Sequence, residues 1–115
     1  MKYIEMTPIT RGGAAIALAS GQPPLIADAA LRLALFDPDA AFVEGVVFGL
    51  LAHSDHVVRV GAVRALSHLA RLHRDLDANA LRAALRSMME DPLVADVAQE
   101  TLEDFDVFLG PKDRG

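Results

Sequence analysis

The 115-residue chain has no cysteine, no tryptophan and a single tyrosine, Tyr3. Without cysteine there are no disulfides, no thiol catalysis and no Cys-based zinc site. That absence fits a reducing cytoplasm, where we expect the protein to act. Aromatic residues are scarce, and Ala, Leu and Val lead the apolar ones. A small-residue core of this kind suits closely packed helices better than a sandwich or barrel. Basic charge is also short: 11 Lys and Arg stand against 16 Asp and Glu, a formal net charge of −5. Non-specific nucleic-acid binding needs a basic footprint, so this balance argues against it and admits a basic partner. A membrane span needs roughly 20 apolar residues, and the most hydrophobic uncharged run extends only from Gly45 to Ala52. A leader can be drawn through Lys2, Ala14–Ala19 and Ser20-Gly21, but Glu5 and Arg11 fit it poorly.

Motifs that carry chemistry are missing as well. His53 and His56 flank Asp55, and His68 and His73 follow a few turns later, but no His-Glu-x-x-His or comparable ligand spacing links them. We read them as polar residues at helix ends, with Asp55 as a cap, and expect no metal and no cofactor. Gly12-Gly13 follows no strong strand pattern and makes no phosphate loop. Ser20, Ser54, Ser67 and Ser87 carry no nucleophile signature. No residue is assigned a catalytic role, and we expect a protein that is not an enzyme.

The chain is most simply one domain. Residues 1–10 read as an extended arm, interrupted by Pro8. Residues 11–110 read as a single helical unit, and 111–115 as a tail after the stop at Gly110-Pro111. Six helices are predicted, at about 11–20, 24–36, 40–52, 56–72, 78–89 and 92–109. Thr10, Asp39, Asp55 and Asp77 are their caps, and Pro24 and Pro92 sit at first helical positions. On the second helix Leu25, Ala29, Leu33 and Phe36 share a face. The third is apolar on nearly every side and is expected to be buried between neighbours, with Gly45 and Gly49 letting another backbone come close. The fourth carries the clearest stripe, Val58, Ala62, Ala65, Leu66 and Leu69. On the fifth, Leu81, Ala84, Leu85, Met88 and Met89 face inward, with Arg82 and Arg86 on the other side.

These helices repeat. Asp55, Val58, Ala62, Leu66 and Leu69 recur 36 residues later as Asp91, Val94, Ala98, Leu102 and Phe105, and the apolar members match Leu25, Ala29, Leu33 and Phe36, 33 residues earlier. The preceding helices match too: Val43, Val47, Leu50 and Leu51 correspond to Leu81, Leu85, Met88 and Met89. The chain is thus expected to be all-α, a short α-solenoid of about three stacked antiparallel hairpins spanning about 11–36, 40–72 and 78–109. The run Leu50-Leu51, Ser54-Asp55, Val58-Arg59, Ala62, Ala65-Leu66, Leu69-Ala70 resembles the HEAT-like repeat family. The second copy departs from that family's Asp–Arg ladder, with Ala95 in place of Arg59. The resemblance implies a scaffold that binds other macromolecules and implies no chemistry. The stretches from His68 to Asp77 and from Thr101 to Leu109 also look like small bacterial HEAT-like immunity proteins of polymorphic toxin loci, contact-dependent growth inhibition systems among them. That resemblance implies a protein that neutralises a cognate toxin, often a nuclease.

Charge differs between the copies. Six arginines lie between Arg59 and Arg86, whereas seven acids and no base lie between Glu90 and Asp106. Glu103, Asp104 and Asp106 sit toward a helix C-terminus, where the dipole disfavours them by roughly a few tenths of a kcal/mol each. An acidic face kept against local energetics points to a basic protein partner, in keeping with a toxin domain rather than nucleic acid or membrane. We therefore take Asp96, Gln99, Glu100, Glu103, Asp104 and Asp106 as the partner-binding residues, mimicking a phosphate track and steering association. The alternative is a structural or adaptor module that dimerises through an apolar face carrying Phe48 and Phe108; the immunity reading expects a monomer or weak dimer when free. Reversing Glu100, Glu103 and Asp104 to Lys is expected to weaken partner binding, and the wild-type association should weaken with added salt; unchanged affinity on either count, measured by titration calorimetry, would disprove the acidic-face reading.

Overall fold

The computed structural model describes residues 6–73 and 78–108, with Phe108 described by its backbone only. Among these residues the chain is helical, without strands: α1 (Arg11–Leu18), α2 (Pro23–Phe36), α3 (Ala40–Leu50), α4 (His56–Leu72), α5 (Ala78–Met88) and α6 (Ala95–Phe108). The Asp77 cap, Arg74, Tyr3 and the stop at Gly110-Pro111 lie outside the described residues. Three caps form as expected from sequence. Thr10 accepts from the Gly13 N–H, Asp39 from Phe42 and Asp55 from Val57, each the kind of contact that stabilises by about 1 kcal/mol. Pro23 and Pro24 occupy the first turn of α2, where a missing N–H costs nothing.

The helices pair as hairpins, α1 on α2, α3 on α4 and α5 on α6, and the second members lie side by side with α4 between α2 and α6. Sequence explains α4's place. Val58, Ala62, Val63, Ala65, Leu66, Leu69 and Ala70 are all buried, a stripe broad enough to serve neighbours on two sides. Burying each large aliphatic chain contributes roughly 1.5–3 kcal/mol. The repeat register holds at Ala29, Leu33, Ala62, Leu66, Val94, Ala98 and Phe105, which are buried, whereas Leu102, matched to Leu33 and Leu66, is only partly buried.

Several expectations fail at the edges of the core. On α2, Leu25 and Phe36 are 45% and 43% exposed, and Ile26, Ala30 and Ala34 are buried instead. The stripe is rotated because the close neighbour is α4, not the far ends of the hairpin. Helix α3 is not sandwiched: Val43 and Val47 are buried, while Phe48 is 45% exposed. It packs on α2 and α4, and its opposite side meets solvent beside a hollow shared with Ala84, Ser87 and Met88 of α5. Nor do its glycines admit a backbone, since a Cβ at Gly45 or Gly49 would meet nothing. The close approach is at Gly61 of α4, where a Cβ would stand 2.6 Å from the Ala27 Cβ and 3.1 Å from the Ala27 Cα of α2. Arg82 of α5 turns inward, 4% exposed. Met89 turns outward past the end of α5. Finally, α6 begins at Ala95 rather than Pro92. The Asp91 carbonyl accepts from both Val94 and Ala95, at 3.0 and 2.8 Å, and its carboxylate from Leu93, so Pro92 lies in a tight turn ahead of the helix.

Long polar side chains tie the ends. Arg32 of α2 donates to the Thr7 carbonyl at 2.8 Å and the Pro8 carbonyl at 3.0 Å, so residues 7 and 8 lie along α2. Arg11 makes a two-pronged contact with Asp37, both bonds 3.0 Å, and lies 3.9 Å over the Phe42 ring. This guanidinium and the Asp39 N–H hold the Asp37 carboxyl below its usual range, and Asp37 raises Arg11 in turn. Arg59 spans the second and third hairpins. It donates to Asp91 at 2.8 Å and to the His53 and Ser54 carbonyls at 2.8 and 2.9 Å. The Leu93 N–H first, and then Arg59, lower the Asp91 carboxyl.

The two kinds of glycine separate by stability. Gly45→Ala should stabilise by about 0.5–1 kcal/mol through helix propensity alone. Gly61→Ala should instead destabilise by about 1–2 kcal/mol, because overpacking outweighs that gain. Urea denaturation followed by circular dichroism reads both; a stabilising Gly61→Ala would rule out the close crossing.

Candidate functional site

The six residues assigned to partner binding divide into three groups on α6. Asp96, Gln99, Glu100 and Glu103 are exposed and share its outer face, with the Gln99 amide donating to Glu103 at 3.0 Å. Asp104 turns toward α4 and accepts the Ser67 hydroxyl at 2.5 Å. Asp106 turns toward α5 and pairs with buried Arg82 at 3.2 Å, whose guanidinium lies 6.0 Å from the Phe105 ring centre. Two of the three acids that look costly near the α6 C-terminus therefore have partners on neighbouring helices. A charge reversal at Asp104 would break a structural tie as well as a surface, so the cleaner probes of the face are Asp96, Glu100 and Glu103.

Sequence reasoning missed the surface beside this face. The solvent side of α2, α4 and α6 carries two hollows. The larger, about 360 Å³, lies between α2 and α4 over Gly61, with Ala27, Leu31, Val57, Val60 and Arg64 in its walls and Asp28 and His56 at its rim. The smaller, about 150 Å³, lies between α4 and α6 and is lined by Ser67, His68, Val97, Glu100, Thr101 and Asp104. Both are lined by Leu31 and Arg64, so they adjoin along one surface, which we call the groove. A signal for it was present in the repeat. Leu31, Arg64 and Glu100 are separated by the same 33 and 36 residues that relate the core stripes, so they are the same outward position in three successive units. The row runs from apolar through basic to acidic.

The buried polar groups beneath the groove are satisfied. Buried Thr101 donates to the Val63 carbonyl at 3.4 Å. Among the described residues no buried side-chain nitrogen or oxygen lacks a hydrogen-bond partner. No cluster of three or more His, Asp or Glu among them has a geometry that could hold a metal ion. His53 accepts the Asp55 N–H at 3.0 Å, so the His53–Asp55 pair builds the turn before α4. His68 contacts Arg71 at 3.2 Å. Its burial first, then Arg71, lower its pKa, against a smaller opposing pull from Asp104. The charged form of this imidazole is thus disfavoured, in the same hollow that Glu100 and Asp104 line. No helix among the described residues is long and apolar enough to cross a membrane.

No family model matches the sequence. No curated protein matches it either. A solved structure does: the chain is 32% identical, over 94% of its own length and 97% of the other's, to a chain in the crystal structure of a CDI complex from Cupriavidus taiwanensis LMG 19424, with a TM-score of 0.82.

His68 gives the site a pH signature. Its folded-state pKa is depressed, so the stability it permits is complete above the ordinary value of about 6.5 and falls as pH drops below it. Unfolding titrations at pH 7.5 and 5.5 should show the loss, and His68→Gln should remove the part of it that lies in this window; an unaltered slope in the variant would assign the dependence to other groups.

Proposed function

The chain belongs to the CDI immunity-like family of the protein it matches, and on that premise we propose that it is an immunity protein of a contact-dependent growth inhibition system. It acts without catalysis, by binding a cognate toxin domain in the cytoplasm and covering the surface that the toxin needs. The single observation that carries this reading is the near full-length match, in sequence and in fold together, to a component of a CDI complex. The acidic outer face of α6 supports the finer statement that the covered surface is basic. Asp96, Glu100 and Glu103 have no Lys or Arg on their own helix, and such a face attracts a cationic partner and speeds its encounter. A basic surface is what a nuclease presents to its substrate, so a nuclease toxin is the favoured partner. The side-by-side order of α2, α4 and α6 supports reading the scaffold as a short solenoid that presents this face.

Co-expression decides the function. Cells producing the toxin domain encoded beside this chain should survive only when the chain is produced with it, and the two purified proteins should form an equimolar complex. Growth arrest that persists despite abundant folded protein, with no complex on gel filtration, would reject the immunity role.

A further inference from the structure

The groove across α2, α4 and α6 adds a second element to recognition. We propose that it receives one amphipathic, basic segment of the toxin domain, with an apolar side chain seated in the hollow over Gly61 and a Lys or Arg reaching Glu100 and Asp104. The proposal rests on the immunity reading and names the surface that reading leaves open. Three observations carry it. First, the 360 Å³ hollow is walled by Leu31, Val57 and Val60, and its floor is the close Ala27–Gly61 crossing. A Cβ at position 61 would stand 2.6 Å from the Ala27 Cβ, so the glycine is what lets the two helices draw together at the hollow. Second, the 150 Å³ hollow adjoins the first at Leu31 and Arg64, and Glu100 and Asp104 of α6 are among its lining residues. Its α6 side has no base of its own, because α6 contains none and His68 is held toward its neutral form. Arg64 stands at the junction of the two hollows, where it meets an acidic or carbonyl group of the same segment. Third, the groove is continuous with the exposed Asp96, Glu100 and Glu103 face, so one basic partner can cover both.

Charge complementarity selects this occupant over a purely apolar one. An uncharged apolar segment would fill the first hollow and strip water from Glu100 and Asp104 without replacing it, and an unpaired buried carboxylate is costly. A basic segment satisfies both ends. Its apolar anchor would make the attachment less sensitive to salt than the α6 face alone.

The test is a methyl and amide NMR titration of the isotope-labelled full chain with the toxin domain encoded beside it, paired with calorimetry on two variants that keep the fold. Shifts should appear at the Leu31, Val57 and Val60 methyls as well as along α6. Val57→Asp, at a half-exposed position, should weaken binding at least 30-fold with an unchanged melting temperature. Glu100→Lys should weaken it about tenfold or more. Tight binding with silent Leu31, Val57 and Val60 methyls and a wild-type affinity for Val57→Asp would overturn the groove while leaving the immunity role intact. Failure of the wild-type chain to bind or neutralise the toxin domain would remove both. A dimer of the free chain that Val57→Asp dissociates would assign the hollow to a second copy, and would likewise overturn the proposal.

Discussion

The crossing of α2 and α4 at Ala27 and Gly61 is the constraint on which the rest of the structure depends. With no side chain at Gly61 and only a methyl at Ala27, the two helices approach until a Cβ at 61 would lie 2.6 Å from its neighbour. Along this packing of α2 on α4, Ala29, Ala30 and Leu33 of α2 and Ala62, Ala65 and Leu66 of α4 are all fully buried. Interiors pack at nearly crystalline density, so small residues placed in register are what permit contact this close. The same crossing leaves a depression on the solvent side, since the larger outward chains on either side, Leu31, Val57 and Val60, stand higher than the glycine between them. Core packing and the hollow above it meet at one short contact.

Away from that crossing, polar ties set the position of α6. Arg59 holds the turn at Asp91, Ser67 holds Asp104, Arg82 holds Asp106, and buried Thr101 bonds the Val63 carbonyl. Surface ion pairs contribute little stability, but these ties are partly buried; those of Arg59, Ser67 and Thr101 link the second and third hairpins and that of Arg82 joins α5 to α6, so they fix register as much as they add energy. They also sort the acids. Asp91, Asp104 and Asp106 are engaged with neighbouring helices, Asp104 while still lining the groove, and Glu90, Asp96, Glu100 and Glu103 are exposed without such a tie. The segregation of charge along the chain is therefore part architecture and part surface.

The adaptor reading keeps one structural feature in its favour, the exposed Phe48 beside Gly49 and Ala52 on the side of α3 that no helix covers. That face is apolar and carries no charge pattern to specify a partner. The α6 face and the groove beside it combine charge and shape, and the matching chain comes from the crystal structure of a CDI complex. The weight of the observations falls on the even-helix side.

Helix type, helix order and the pairing into hairpins were determined by the sequence alone, because caps, prolines and apolar spacing act within a few residues of each other. Asp39, Asp55 and the stripe from Val58 to Leu69 needed no tertiary information. The repeat at 33 and 36 residues likewise identified most of the central positions that are buried, Leu102 being only partly so. What only the tertiary structure decided was the choice among chemically similar residues. Gly61 rather than Gly45 or Gly49 became the point of contact, since only its face meets a neighbouring helix. Arg82 turned inward because Phe105 and Asp106 of the next helix received it. The six acidic and amide residues picked out on α6 were legible as a charged stretch, yet their division into a surface face and two structural ties depends on Ser67 and Arg82, which are far away in the chain. The groove remained hidden for the same reason: Leu31, Arg64 and Glu100 are ordinary surface residues on three separate helices, and only the packing of those helices makes them one surface.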